Sequence, residues 1–161
     1  MDYDERSAGG IVFKNDNGRT KWLVIKTTNF ARGGDGNHYP HKKAMFKFPK
    51  GHLQREEFLK EAALREVEEE GRVKTKIVAK IGSNNYFIFD KLSKKKIVKK
   101  VTFFLMEYVA ESDLRHFDKE VVIDRQWLDY QTARELLAYD SEKTLLRKAK
   151  QKLEELNRKI Q

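Results

Sequence analysis

The pattern of apolar and polar positions divides the chain into strand-length and helix-length segments. Gly10 to Lys14 and Lys21 to Thr27 are rich in Val, Ile, Phe and Trp and flank Asn15-Asp16-Asn17-Gly18. Asn-Gly between two such runs signals a tight turn, so a β-hairpin is expected. Residues 28 to 44, with Gly33, Gly34, Gly36 and two His, read as a surface loop over a binding face. Met45 to Phe48 predicts a short strand. From about Glu56 to Glu70 helix formers run without Gly or Pro, and Gly71 follows as a stop. Strand-like runs come next at Val73 to Ile81, Tyr86 to Phe89, Ile97 to Tyr108 and Val121 to Leu128. The tail, about 131–160, is helical, and Leu145, Ala149, Leu153, Leu156 and Ile160 form one apolar face expected to pack on its own domain. The mixture predicts an α/β fold in a single domain, residues 1–161, with no internal repeat and no Pro/Ser-rich linker.

Composition narrows the chemistry. A chain of 161 residues buries a core without staples, and the absence of Cys removes disulfides, thiolate metal sites and Cys nucleophiles. With 37% charged residues, a mean hydropathy of −0.77 and Val101 to Met106 as the densest apolar run, no segment approaches the roughly 20 residues of a membrane helix. Met1-Asp2-Tyr3-Asp4-Glu5-Arg6 carries acids where a secretory signal is basic, so a cytoplasmic protein is expected. The 34 Lys+Arg outweigh 25 Asp+Glu for a net charge of +9, which favours phosphates, nucleic acid or acidic surfaces as partners. Within residues 54–73, however, seven Glu face Arg55, Lys60, Arg65 and Arg72. An acidic island in a basic chain suits a site that holds cations at its centre and a polyanion around them.

The helix carries that island in an unusual way. At about 100° per residue, Glu66, Glu69 and Glu70 share one face with Leu59, Ala62 and Ala63, so the carboxylates continue the stripe that should be buried, while Glu68 points away. Acids at a helix C-terminus oppose the macrodipole, and Glu66 and Glu70 repel one another at i, i+4. Such local violations concentrate at functional sites, and a hard divalent cation, Mg²⁺ or Mn²⁺, is the simplest compensation.

The spacing Gly51-x5-Glu57-x7-Arg65-Glu66-Val67-x-Glu69-Glu70 resembles the Nudix box of the Nudix hydrolase superfamily, G-x5-E-x7-R-E-U-x-E-E-x-G-U with U a bulky aliphatic. Residues 51–73 match at every fixed position except one: Arg72 stands where the box has Gly, and Gly71 lies one residue earlier, so the turn after the helix is expected in a shifted form. Ser7-Ala8-Gly9-Gly10-Ile11-Val12-Phe13 is similar to the family's first core strand and Trp127 to its late strand. The resemblance covers roughly residues 5 to 140. It implies an α/β/α sandwich around a mixed β-sheet, with the C-terminal helix added, and hydrolysis of a diphosphate linkage in a nucleoside diphosphate derivative.

It also implies roles. Glu66, Glu69 and Glu70 would ligate Mg²⁺ or Mn²⁺ with the Lys50 carbonyl beside them, and one of the acids would serve as general base. Gly51 shapes the loop, and Glu57 and Arg65 brace it. Glu120 is the candidate for a further acid from a later loop, with Asp118 and Asp124 as rivals. Phe48-Pro49-Lys50-Gly51-His52 and residues 99–105 resemble segments of the asymmetrical diadenosine tetraphosphate hydrolases, and the former also resembles segments of inositol pyrophosphate phosphatases. Lys50, His52 and Lys99 or Lys100 would then meet substrate, and Tyr86 would stack an adenine.

Three segments stay open. Residues 91–100 hold six Lys and no acid, either a solvated hairpin tip or a funnel for polyphosphate or RNA. Arg32, His38, His41, Lys42 and Lys43 suit a lid over phosphates better than a metal site; His116 reads as surface. The expected enzyme takes a nucleotide with a phosphate chain and is a monomer or homodimer. Its alternatives are hydrolysis of damaged nucleoside triphosphates, of an RNA 5′ pyrophosphate or of inositol pyrophosphates, and a non-catalytic nucleotide- or RNA-binding module.

Overall fold

A computed structural model describes residues 5–32, 38–40, 44–114 and 120–160. The expected hairpin is formed by β1 (Glu5–Asp16) and β2 (Arg19–Arg32), joined by Asn17 and Gly18, both at positive φ as a primed two-residue turn requires. In the segment expected as a loop the described residues are mostly strand: β2 runs to Arg32 and pairs with β3 (His38–Pro40). Met45 to Phe48 yields β4 (Met45–Lys47), and β5 (Lys50–His52) follows on β1.

The box helix, α1 (Leu59–Gly71), begins three residues later than expected because Glu56 is left-handed at φ 64°. At its other end the turn is not shifted. Gly71 is the last helical residue, where a Cβ would crowd Leu23, and Arg72 itself takes the left-handed cap at φ 55°. Arg125 Nη1 secures this end by donating to the carbonyls of Gly71 (2.9 Å) and Arg72 (3.0 Å).

Two expected strands merge into one, β6 (Val73–Asp90): its polar middle, Ser83 to Asn85, pairs in unbroken register with Thr102, Val101 and Lys100, and the register shifts lie earlier, between Lys74 and Gly82. It pairs with β7 (Lys95–Glu111), and β8 (Glu120–Leu128) lies on β2. The helical tail is two helices, α2 (Tyr130–Leu136) and α3 (Asp140–Ile160); between them Ala138 donates its N–H to the Phe46 carbonyl at 3.0 Å.

The backbone of the sheet runs β3-β2-β1-β7-β6, with β4 and β8 on β2 and β5 on β1. The β1/β7 pair is parallel and the other pairs antiparallel, a mixed sheet. Strand alternation sorts the core onto two faces. Ala8, Val12, Phe104 and Met106 meet Ala62, Ala63 and Val67 of α1. Ile11, Val101, Phe103 and Leu105 meet Ala133, Leu145, Leu146, Ala149 and Leu153 of α2 and α3. The tail thus packs on its own domain as expected, except that Ile160 is 84% exposed. The result is an α/β/α sandwich. Gly9 matters to it: a Cβ there would strike the Pro49 carbonyl oxygen and Lys50, so only glycine lets β1 lie against the segment leading into β5.

Candidate active site

The acidic half of α1 lies beside β5. Glu66 and Glu70 are each only 4% exposed, and Glu69 is half-buried. This agrees with the helical wheel, which put the acids on the packed face. Glu68, on the other side, accepts a hydrogen bond from Ser112 Oγ at 2.8 Å. Gly51 fits against Glu66 so closely that a Cβ would fall inside the carboxylate. Glycine at this position is therefore a steric requirement of the Glu66 placement.

Arg65 organises the acids. Its guanidinium has five N–H donors, and five hydrogen bonds leave it. Nε and Nη2 grip Glu57 as a fork, at 2.8 and 2.9 Å. Nη1 reaches Glu66 Oε1 (2.8 Å) and Glu69 Oε2 (3.1 Å), and Nη2 also donates to the His52 carbonyl (2.9 Å). Glu57 Oε1 in turn accepts from the Gln54 N–H at 3.0 Å. The fork goes to Glu57, and the remaining donors span two acids and the loop. These hydrogen bonds hold the Glu57 carboxyl below its ordinary value and raise the Arg65 guanidinium further above the physiological range.

The donor set suits a hard cation: three carboxylates within two turns of one helix, two of them buried, and a single guanidinium among them. Among the described residues no three His, Asp or Glu side chains converge around one point, and Arg65 Nη1 donates to both Glu66 and Glu69.

Strand register decides the orientation of the substrate candidates. Ser7 pairs with His52 and Gly9 with Lys50, so Lys50 and His52 project on one side of β5 and Gly51 on the other. His52 Nδ1 lies 3.4 Å from Ser7 Oγ. Ser7 also pairs with Val101, whose side faces α3; Lys99, two residues earlier, shares it, and Tyr86 is the cross-strand partner of Lys99. Lys50, His52, Tyr86 and Lys99 therefore share one face of the sheet. Lys100 takes the opposite face. Tyr86 packs against the cluster under α3, and Lys99 Nζ lies 3.9 Å from Glu5 Oε2.

Of the later acids, Glu120 opens β8 opposite Asn29 in register; its side chain lies outside the described part of the structure. Asp124 is exposed, its carboxyl lowered by a hydrogen bond from the Gln126 amide and by the Arg125 N–H. Asp118, His41, Lys42, Lys43 and His116 lie outside the described residues, as do the side chains of Arg32 and His38. One residue that the sequence reading missed is Glu142 of α3, fully buried, whose Oε1 accepts the Phe48 N–H at 2.7 Å just ahead of β5. Its signal was an acid one position from the apolar stripe, in the first turn of the helix.

A sandwich of this topology, with the acids of one helix seated on a Lys-Gly-His strand, defines a Nudix-type fold and site. The NUDIX domain model matches residues 4–149. The chain belongs to the NUDIX domain family and is a Nudix hydrolase, an enzyme of the pyrophosphohydrolase type. Among solved structures it is similar to the Ap4A hydrolase of C. elegans in a binary complex, at 21% identity and TM-score 0.57 over 92% of this chain and 97% of that one. A mutT/nudix family protein from Listeria innocua matches at 18% identity and TM-score 0.62, over 96% and 97%. The NUDIX domain of Shewanella oneidensis NrtR, solved with ADP ribose, matches at 14% and 0.60, over 95% and 90%. No curated protein sequence matches the chain. Among the described residues no helix is long and apolar enough to cross a membrane.

Proposed function

We propose that the enzyme hydrolyses a phosphoanhydride bond in a dinucleoside polyphosphate, with diadenosine tetraphosphate, cleaved to ATP and AMP, as the reference substrate. The observation that carries this reading is the arrangement of β5: Gly51 seats Glu66 of the acidic helix on one side, and Lys50 and His52 project on the other, the face that Tyr86 and Lys99 share. Two lysines and a histidine on one side of a glycine, with carboxylates on the other, suit a long phosphate chain that must be gripped at several phosphates and cut at one. Tyr86, on β6, offers a ring for one adenine.

In this reading Glu66, Glu69 and Glu70, with the Lys50 carbonyl, hold Mg²⁺ or Mn²⁺, which when bound polarises a phosphoryl oxygen and lowers the pKa of the attacking water. Arg65 keeps Glu66 and Glu69 oriented and ties them through Glu57 and the His52 carbonyl to the loop that presents Lys50. Lys50 and Lys99 neutralise phosphate charge that grows as the bridging bond breaks. One carboxylate of the three takes the proton of the water, and Glu120 is a further acid for that step.

The test is product analysis by chromatography after incubation with Mg²⁺ and diadenosine polyphosphates, nucleoside triphosphates and ADP-ribose, with Glu69→Gln alongside. ATP plus AMP from diadenosine tetraphosphate, lost in the variant, is the expected result. Cleavage of nucleoside triphosphates or ADP-ribose with diadenosine tetraphosphate left intact would overturn the substrate assignment.

A further inference from the structure

The outer ends of β6 and β7, residues 87–90 and 95–98, pair only with each other among the described residues. They form a two-stranded ribbon closed by Asp90, which accepts from Leu92 N (3.0 Å) and Ser93 Oγ (2.6 Å). Asp90 is the lone acid between residues 85 and 100, and it is spent on the turn, whereas six Lys occupy residues 91–100.

Alternation places Asn85, Phe87 and Phe89 on one face of the ribbon, with their register partners Lys100, Val98 and Lys96 beside them. Phe87 is 58% exposed and Phe89 64% exposed. Two rings open to solvent on successive positions of one face are unusual in a chain with this much polar surface. Lys96 Nζ sits 4.1 Å from the centroid of the Phe87 ring, so cation and ring lie within the span of a single nucleotide. Arg6, paired with Lys100, extends the cations toward Ala8, the register partner of Gly51. Phe89 is six residues along β6 from Ser83, which pairs with Thr102 beside Ala8, a distance of about 20 Å at ~3.3 Å per residue.

We infer that this ribbon face is a docking surface for single-stranded nucleic acid, its bases stacked on Phe87 and Phe89 and its phosphates met by Lys94 at the turn and by Lys96 and Lys100. The charge identifies a polyanion, and the exposed rings identify one with open π-faces, which a duplex lacks. A lipid surface fits less well: membrane insertion calls for apolar groups at the tip, where Leu92 stands alone among lysines, whereas the two phenylalanines lie along the flat of the ribbon. The surface lies apart from Lys50, His52, Tyr86 and Lys99, so it stands or falls independently of the substrate proposed above.

The experiment is fluorescence anisotropy with labelled ten-nucleotide RNA and DNA oligonucleotides between 50 and 200 mM salt, with cosedimentation on phosphatidylserine vesicles in parallel. Phe87→Ala/Phe89→Ala and Lys94→Ala/Lys96→Ala are compared with the parent, and thermal melting shows that each remains folded. Expected are oligonucleotide binding that weakens with salt, a loss of about tenfold or more in the phenylalanine variant, and a salt slope lowered by about 2 in the lysine variant. Either oligonucleotide held through both rings upholds the surface, and the ratio of the two identifies the preferred sugar. The proposal is overturned if the phenylalanine variant binds as the parent does, if neither oligonucleotide binds at 50 mM salt, or if vesicles bind and oligonucleotides do not.

Discussion

The two faces of the sheet each bury acid, and they do so under opposite rules. On one face Glu142 lies in the first turn of α3, where the helix dipole favours negative charge, and accepts the Phe48 N–H. On the other, Glu66, Glu69 and Glu70 crowd the C-terminal half of α1, where the dipole opposes them and the last turn carries no basic residue. A buried acid that obeys the dipole serves the fold. Acids that defy it need an outside reason, and here Arg65 supplies part of the compensation while a polyphosphate with its cation would supply the rest.

Changing one acid at a time sharpens that contrast. Glu69→Gln is expected to lower kcat by roughly 10²–10³-fold while its urea midpoint shifts by less than the equivalent of ~0.5 kcal/mol, because lost repulsion offsets a lost Arg65 contact. Glu142→Leu should do the reverse, costing about 2 kcal/mol by leaving the Phe48 N–H without its acceptor, with kcat per folded molecule changed only a few-fold. Glu142→Gln, which keeps an acceptor, should recover most of that stability. A kcat loss in Glu142→Gln at unchanged stability would break the contrast.

The Arg65 fork makes a prediction about pH. The Glu57 carboxyl is depressed in the folded state, so its stabilisation is complete above the ordinary carboxylate value of about 4.3 and is lost as pH falls through the depressed value. Urea midpoints of the parent and Glu57→Gln should therefore differ steadily from pH 7 to pH 5 and converge in more acidic solution. The smallest effect is at the helix end. Arg72→Gly relieves a left-handed residue at the cost of a freer unfolded chain, a net gain of about 0.5 kcal/mol in the urea midpoint.

The acids, Arg65, Gly51 and the hairpin were legible in the sequence because each is written locally, as a helical period, a fixed spacing or an Asn-Gly turn. The Lys99 orientation was not, since it depends on which strand pairs with Glu5 and Tyr86 and so on long-range register. The run from Val73 to Asp90 read as two strands because polar Ser83, Asn84 and Asn85 look like a turn, yet Ser83 Oγ meets Thr102 Oγ1 at 3.1 Å across the ladder. The helix end misread at Arg72 shows that position can outweigh propensity: Arg125 and the Glu68 carbonyl hold the left-handed cap that glycine would adopt unaided. Glu142 escaped notice because nothing beside it in sequence shows that its partner is Phe48.

Gly9 and Gly51 separate two pressures that usually act together. A methyl at Gly9 meets backbone first, the Pro49 carbonyl, and a methyl at Gly51 meets first the carboxylate of Glu66. A library selected for solubility alone would retain the first and let the second drift. A library selected for turnover would retain both, and comparing the two survivor pools would read out, from sequence counts, where assembling the scaffold ends and aligning its carboxylates begins.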